Sequence, residues 1–282
     1  MPSIGALTKA HAKLSVLING LYLSVPTVVE SLQRFCRPLA FHNDGYDHHI
    51  SFSGSCLLFR HRGHNLLLCT RHQLANAKRT SDQIILVVDE AHGRRVGINP
   101  NEVSQGVLDP SSDPAYADLA DMMIAEYSPR NPGRDLAPHF LSLDLEAARD
   151  LRTVEPASVD AIFSIGYPTG DTSYDTTFDD DWQLLGVDVV SRWWKLYFKP
   201  ATPTVWDAPG TVPLEPASND DPIPDDPDGM SGAPVFFIHG IKAGQPELGF
   251  AGIIVRGNKL GRINMIEAAH IRQALALHLG AR

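Results

Sequence analysis

A mainly β protein with helices at both ends is the fold class this sequence predicts, and three observations carry it. Short apolar runs of strand length recur between residues 50 and 264. Turn formers separate them, at Arg62-Gly63, Gly93, Asn99-Pro100 and Ser111-Ser112-Asp113-Pro114. The 22 Gly and 21 Pro among 282 residues suit a chain that turns often.

The elements follow in order. Residues 3–38 read mostly as helix, because Leu14, Leu17, Ile18 and Leu21 fall at helical spacing; Pro26 interrupts it, and a second helix runs from Val28 to Phe35. From His48 the period shortens, with β-like runs at 50–59, 65–70, 83–88, 105–109 and 121–127. A hairpin across Arg62-Gly63 sets Cys56 opposite Cys69, and two buried thiols are expected there rather than a disulfide. Residues 129–158 read as a strap over the surface. A second set of strands follows at 159–165, 183–191, 193–199, 233–238, 248–255 and 261–264, and Ile266 to Leu279 closes the chain as a helix. Residues 214–228, dominated by Asp, Glu and Pro, have little apolar surface to bury and read as a weakly packed loop. This pattern specifies an all-β sandwich or barrel without choosing between them.

Composition excludes several classes. A net charge of −9 lacks the basic footprint of a general nucleic-acid binder. No run of 18 uncharged apolar residues exists, so no membrane-spanning helix is expected. Leu14 to Val25 contains Asn19-Gly20 and is followed by no small-x-small cleavage site, so a cytoplasmic location is expected, with secretion the alternative. Three Cys make no disulfide framework. His42, His48 and His49, with Asp44 and Asp47, lack the spacing of strong zinc motifs and read as a polar loop; no metal and no cofactor are expected.

Chemistry concentrates at Gly229-Met230-Ser231-Gly232-Ala233-Pro234. Flanking glycines let the backbone turn sharply around a serine, so that main-chain N–H groups can converge on one oxygen. A serine needs a base to become a nucleophile. The apolar strand Leu66-Leu67-Leu68-Cys69-Thr70-Arg71 ends on His72, and Asp121 heads the strand Met122 to Tyr127. His61 and His64 sit in the expected turn and read as solvated. Asp118, three residues earlier, competes with Asp121, which has the longer apolar run behind it. The order His, Asp, Ser differs from the Ser, acid, His order of α/β-hydrolases. That fold also needs G-x-S-x-G, and Ala233 stands at the fifth place; it needs acid and base after the serine, and Glu247 and His270 are available, but only 51 residues follow Ser231.

These residues resemble the trypsin/chymotrypsin superfamily. Ser53-Gly54-Ser55-Cys56 to Phe59 is similar to the strand that precedes the family's histidine, Leu68 to His72 to its histidine box, and Asp121 to Tyr127 to its aspartate strand. Phe163 to Pro168, Gly229 to Pro234 and Gly252 to Val255 resemble its later turn, nucleophile and cleft motifs, in the right order. The resemblance departs at Met230, where an aspartate would serve the animal zymogen switch, and in the absence of a cysteine pair around His72; residues 1–45 and 214–228 have no counterpart. It implies a double six-stranded β-barrel over residues 46–282, the peptidase domain: 46–135 first barrel, 136–158 strap, 159–265 second barrel, 266–282 C-terminal helix; residues 1–45 lie outside it and, from their apolar spacing, read as an N-terminal helical extension. It implies a serine endopeptidase acting on a protein or peptide substrate. Ser231 would be the nucleophile, His72 the base and Asp121 its orienter, with the Gly229 and Ser231 N–H groups forming the oxyanion hole. Ser231 Oγ is then expected within hydrogen-bond reach of His72. Asp225, six residues before the nucleophile, is the candidate floor of the specificity pocket, against a solvated loop carboxylate; Val255 and Arg256 are further candidate substrate contacts. The alternatives are a protease-fold binding or scaffolding protein, one that an activating protein partner switches on, and an esterase or amidase using the same triad.

Overall fold

The structure, a computed structural model, describes residues 15–43, 49–89, 95–105, 119–131, 134–218, 220 and 222–280. In chain order the first part holds β1 (Ser15–Ile18), β2 (Leu21–Ser24), helix α1 (Val28–Leu32), β3 (Cys36–His42), β4 (Ile50–His61), β5 (His64–Thr70), helix α2 (His72–Ala77), β6 (Ile84–Asp89), β7 (Arg95–Ile98), β8 (Glu102–Gln105), β9 (Met122–Tyr127), the short pair β10 (Arg130–Asn131) and β11 (Arg134–Asp135), and β12 (Leu141–Ser142). The second holds β13 (Val159–Gly166), β14 (Thr172–Phe178), β15 (Leu184–Ser191), β16 (Trp194–Pro200), β17 (Val212–Pro216), β18 (Pro234–His239), β19 (Glu247–Gly257), β20 (Ile263–Glu267) and helix α3 (Ala268–Gly280).

The second lobe is a closed barrel in the order β13-β16-β17-β20-β19-β18. The first is an eight-stranded sheet, β7-β6-β3-β4-β5-β9-β8 with β12 beside β4, and among the described residues it does not close. The expectation of two closed six-stranded barrels therefore holds for one lobe. Even there the membership differs. Strand β15 pairs with β14 in a separate ribbon outside the barrel, and its expected place is taken by β17, at the head of the acidic run. A short segment with prolines at Pro213 and Pro216 reads as loop, yet three of its residues pair with β20.

Burial on both faces explains the unbroken apolar runs. In β5, Leu66 and Leu68 enter a core shared by the lobes, while Leu67 and Cys69 point into the first lobe's own core. In β18, Phe236 and Ile238 enter the shared core and Val235 and Phe237 fill the barrel. Phe163, Phe236 and Phe250 stack in tilted contacts with centroids about 6 Å apart, a geometry favoured by aromatic quadrupoles.

The N-terminal helix is the largest correction. Residues 15–24 form an antiparallel hairpin, and α-helix is confined to Val28–Leu32 among described residues 15–43. Asn19 and Gly20 both have positive φ, +47° and +79°, as a two-residue type I′ turn requires. Asn19 also anchors the turn: its Nδ2 donates to Phe140 O at 3.1 Å and its Oδ1 accepts from Ser142 N at 2.6 Å. Strand β3 then pairs with β4 and β6, so the first-lobe sheet includes residues upstream of 46.

Helix α3 is the clamp between lobes. Ile271, Ala274 and Leu275 are buried in the shared core, and the Arg272 guanidinium binds Asp150 and the Leu145 carbonyl of the strap. No described helix is long and apolar enough to cross a membrane. Cys36, Cys56 and Cys69 are buried free thiols, and burial pushes the Cys56 thiol up to about 12, so it stays protonated.

Candidate active site

Antiparallel pairing brings the candidate base, His72, and its candidate orienter, Asp121, together. Strand β5 ends at Thr70, which lies opposite Met122, the first residue of β9. The next residues along each chain therefore meet at one sheet edge, and Arg71 N donates to Asp121 O at 2.5 Å. His72 opens α2, and its backbone N–H donates to Asp121 Oδ1 at 2.9 Å. Its ring Nδ1 bonds the other oxygen, Asp121 Oδ2. A carboxylate only accepts, so Nδ1 carries the proton and the Nε2 lone pair is left for the cleft. Asp118 lies outside the described residues; Asp121 is the carboxylate that meets His72.

The turn around the candidate nucleophile, Ser231, comes from the second lobe. Gly229 has φ of +97°, and a Cβ there would lie 2.5 Å from Thr169 N and 2.7 Å from Tyr167 O. Only glycine fits this approach. Ser55 on β4 ties the turn to both lobes: its Oγ donates to Gly229 O at 2.7 Å and accepts from Tyr167 N at 2.8 Å. Among the described residues, neither Gly229 N–H nor Ser231 N–H makes a hydrogen bond within the chain. Both are thus uncommitted donors beside the serine.

Ser231, His72 and Gly229 line one cleft of 540 Å³ together with Asn76, Thr169, Asp226 and Asp228. The expected Ser231–His72 bond is not formed. Ser231 Oγ donates instead to Val255 O at 3.2 Å. The cause is local: Ile254 N bonds Ala233 O and Gly232 N bonds Ile254 O, which draws β19 alongside the turn and leaves the next carbonyl, of Val255, within reach of the hydroxyl. One torsion about Cα–Cβ separates this rotamer from others.

The candidate substrate contacts divide. Val255 is buried and meets Ser231 through its carbonyl. Asp225 is exposed and does not line the cleft, whereas its neighbours Asp226 and Asp228 do. Arg256 lines a separate groove of 410 Å³ with Trp206 and Asp207, where hydrogen bonds from Arg262 hold the Asp207 carboxyl well below the usual carboxylate range. The acidic run is also better anchored than its composition suggests. Ile223 packs on the barrel core, Pro224 is buried, and Asp228 O accepts from Thr169 N at 2.7 Å.

His42 and His49 lie apart from this cleft; His48, Asp44 and Asp47 of the histidine-rich loop fall outside the described residues. Among the described residues no group of three His, Cys, Asp or Glu side chains could hold a metal ion.

Comparison with known proteins adds little. No family model matches the chain, and no curated protein matches it. A solved structure of a thermostable serine protease, AL20, from an extremophilic microorganism is similar at 9% identity, over 86% of this chain and 95% of that one, with a TM-score of 0.46.

Proposed function

We propose that the chain is a serine endopeptidase with a trypsin-like double-lobed fold, hydrolysing peptide bonds through an acyl-enzyme. The observation that carries this reading is the cleft itself: a histidine with Nδ1 held by a carboxylate, a serine in a glycine turn, and two uncommitted N–H groups, all on one wall-to-wall junction of the lobes.

The chemistry is as follows. Ser231 Oγ rotates off Val255 O and attacks the substrate carbonyl carbon while its proton passes to His72 Nε2. The carbonyl oxygen takes the electron pair and is held by Gly229 N–H and Ser231 N–H. The C–N bond then breaks, the amine leaves with the proton from His72, and a water molecule, deprotonated by His72, hydrolyses the ester. Asp121 keeps the imidazole in one tautomer and stabilises the imidazolium. Losing one oxyanion donor would cost roughly 3–4 kcal/mol of transition-state stabilisation. Among the described residues neither Lys nor Arg lines the cleft, while Asp226 and Asp228 do, which favours peptides with basic side chains near the scissile bond.

A digest of a mixed peptide library, with Ser231→Ala as control, tests this. Cleavage by the native chain alone supports it; equal cleavage by both sinks it. The Ser231–Val255 bond favours one second reading, a protease-fold binding protein that turns over only once a partner or substrate frees the hydroxyl. That reading expects peptide binding without cleavage.

A further inference from the structure

We propose that Gln73 is a positioning residue, whose carboxamide fixes the nucleophile turn of the second lobe against the His72 helix of the first. The inference stands on geometry, and it rests on the hydrolase reading only where its kinetic consequence is concerned.

Gln73 is buried, at 3% exposure, directly after His72. Its Nε2 donates to Ser231 O at 3.0 Å and to Ser55 O at 3.0 Å. Its Oε1 accepts from Thr70 N at 2.8 Å and from Thr70 Oγ1 at 3.0 Å. The orientation of the amide follows: a backbone N–H can only donate, so it faces Oε1, and carbonyls can only accept, so they face Nε2. Both amide protons are used, and one side chain joins the end of β5, the middle of β4 and the carbonyl of the proposed nucleophile. Ser55 N adds a parallel bond to Ser231 O at 3.2 Å.

The backbone around Gln73 is shaped to admit it. A Cβ at Gly54 would lie 2.1 Å from Gln73 Nε2, and one at Gly232 would lie 2.9 Å from Gln73 Oε1 and 2.2 Å from Ser55 O. Both glycines also have positive φ. A register irregularity in β4 of the first lobe and the serine turn of the second thus close on the same carboxamide. Because the group is hidden from water, a variant that strands these carbonyls loses more than a surface bond would.

The test uses Gln73→Met, which keeps length and removes every hydrogen bond of the carboxamide, and Gln73→Glu, which removes its N–H donors. Hydrogen exchange in the native state reads the amides of Ser55, Gly232 and Ala233, each bonded within the turn region, against those of β18. The proposal expects protection at those three to fall about tenfold or more while β18 is unchanged, and the rate of fluorophosphonate labelling at Ser231 to fall by at least as much. Unchanged protection and labelling within about twofold in both variants overturns it. Should the variants not fold, the native chain decides: the Gln73 side-chain NH₂ resonances must be protected from water exchange, and rapid exchange overturns the proposal. If the native chain is not labelled at all, the hydrolase reading fails while the exchange result still judges Gln73.

Discussion

Among the described residues, two constellations of hydroxyl, imidazole and carboxylate differ in an instructive way. Ser231, His72 and Asp121 meet at the cleft. Ser104 on β8, His278 on α3 and Glu126 on β9 meet at the seam where the C-terminal helix rests on the first lobe. The second trio is the better bonded at its hydroxyl: Ser104 Oγ and His278 Nδ1 share a hydrogen bond at 2.7 Å, and His278 Nε2 lies 3.4 Å from Glu126 Oε2. The His278 side chain is fully buried, whereas that of His72 is 35% exposed. Ser104 stands within a strand paired to β9, opposite Ile124. A trio of the right residue types is therefore not a site. Access, a turn that presents the hydroxyl, and uncommitted N–H donors make the difference, and all three belong to Ser231. The buried trio instead fastens α3 to the first lobe.

The largest expected effect follows from that contrast. Ser231→Ala should lower hydrolysis by roughly a thousandfold or more, and adding His72→Ala should cost little further, because members of a triad act as a unit. Ser104→Ala should leave kcat/KM within about twofold. Steady-state kinetics on a cleaved library peptide distinguishes the two; comparable losses at both serines would break the comparison.

Next in size, His278→Ala should destabilise the fold by roughly 1–3 kcal/mol, since it opens a cavity under α3 and removes the imidazole partner of Ser104 Oγ. Activity per folded molecule should be unchanged. His72→Ala, at a partly exposed position, should show the reverse pattern. Denaturant titration alongside kinetics checks both.

A smaller effect concerns charge, which the cleft has and the seam lacks toward solvent. Replacing Asp226 and Asp228 by Asn should reduce the preference for Lys- or Arg-containing peptides by less than about tenfold, and added salt should reproduce the loss in the native chain. A preference that is indifferent to both would remove the electrostatic part of the reading.

The smallest effect is a pH dependence outside both trios. Burial holds His61, His139 and His270 below their usual 6.5, with neighbouring arginines adding to the shift. The unfolded chain therefore binds protons before the folded one does. Their contribution is present above 6.5 and declines as the pH falls below it. Thermal melts between pH 7.5 and 5.5 should show a falling Tm, less so in His61→Gln; a flat profile contradicts the assignment.

Much of this was legible in the sequence, and the failures are specific. The β5 and β9 runs, and with them the meeting of His72 and Asp121, followed from strands whose ends carry the functional groups. The N-terminal hairpin was misread because Leu14, Leu17, Ile18 and Leu21 satisfy a helical period, while the strand alternation is visible only in burial: Val16 and Ile18 are inside and Leu17 is 55% exposed. Asn19-Gly20 was the signal that should have outweighed the spacing. Strand β17 escaped notice because its ladder forms with β16 and β20, not with anything nearby in sequence. Gln73 gave no signal at all, since its partners Ser55 and Ser231 lie 18 and 158 residues away and are backbone carbonyls, which carry no residue identity. The Ser231 rotamer was equally hidden, being set by where β19 places the Val255 carbonyl.

The central claim is that one serine of the two is activated. Reaction of the native chain with a fluorophosphonate probe, followed by peptide mapping of the adduct, tests it most directly. The account predicts a single adduct on Ser231, absent in His72→Ala, with Ser104 unmodified. An unlabelled Ser231, or labelling that survives the loss of His72, would contradict it.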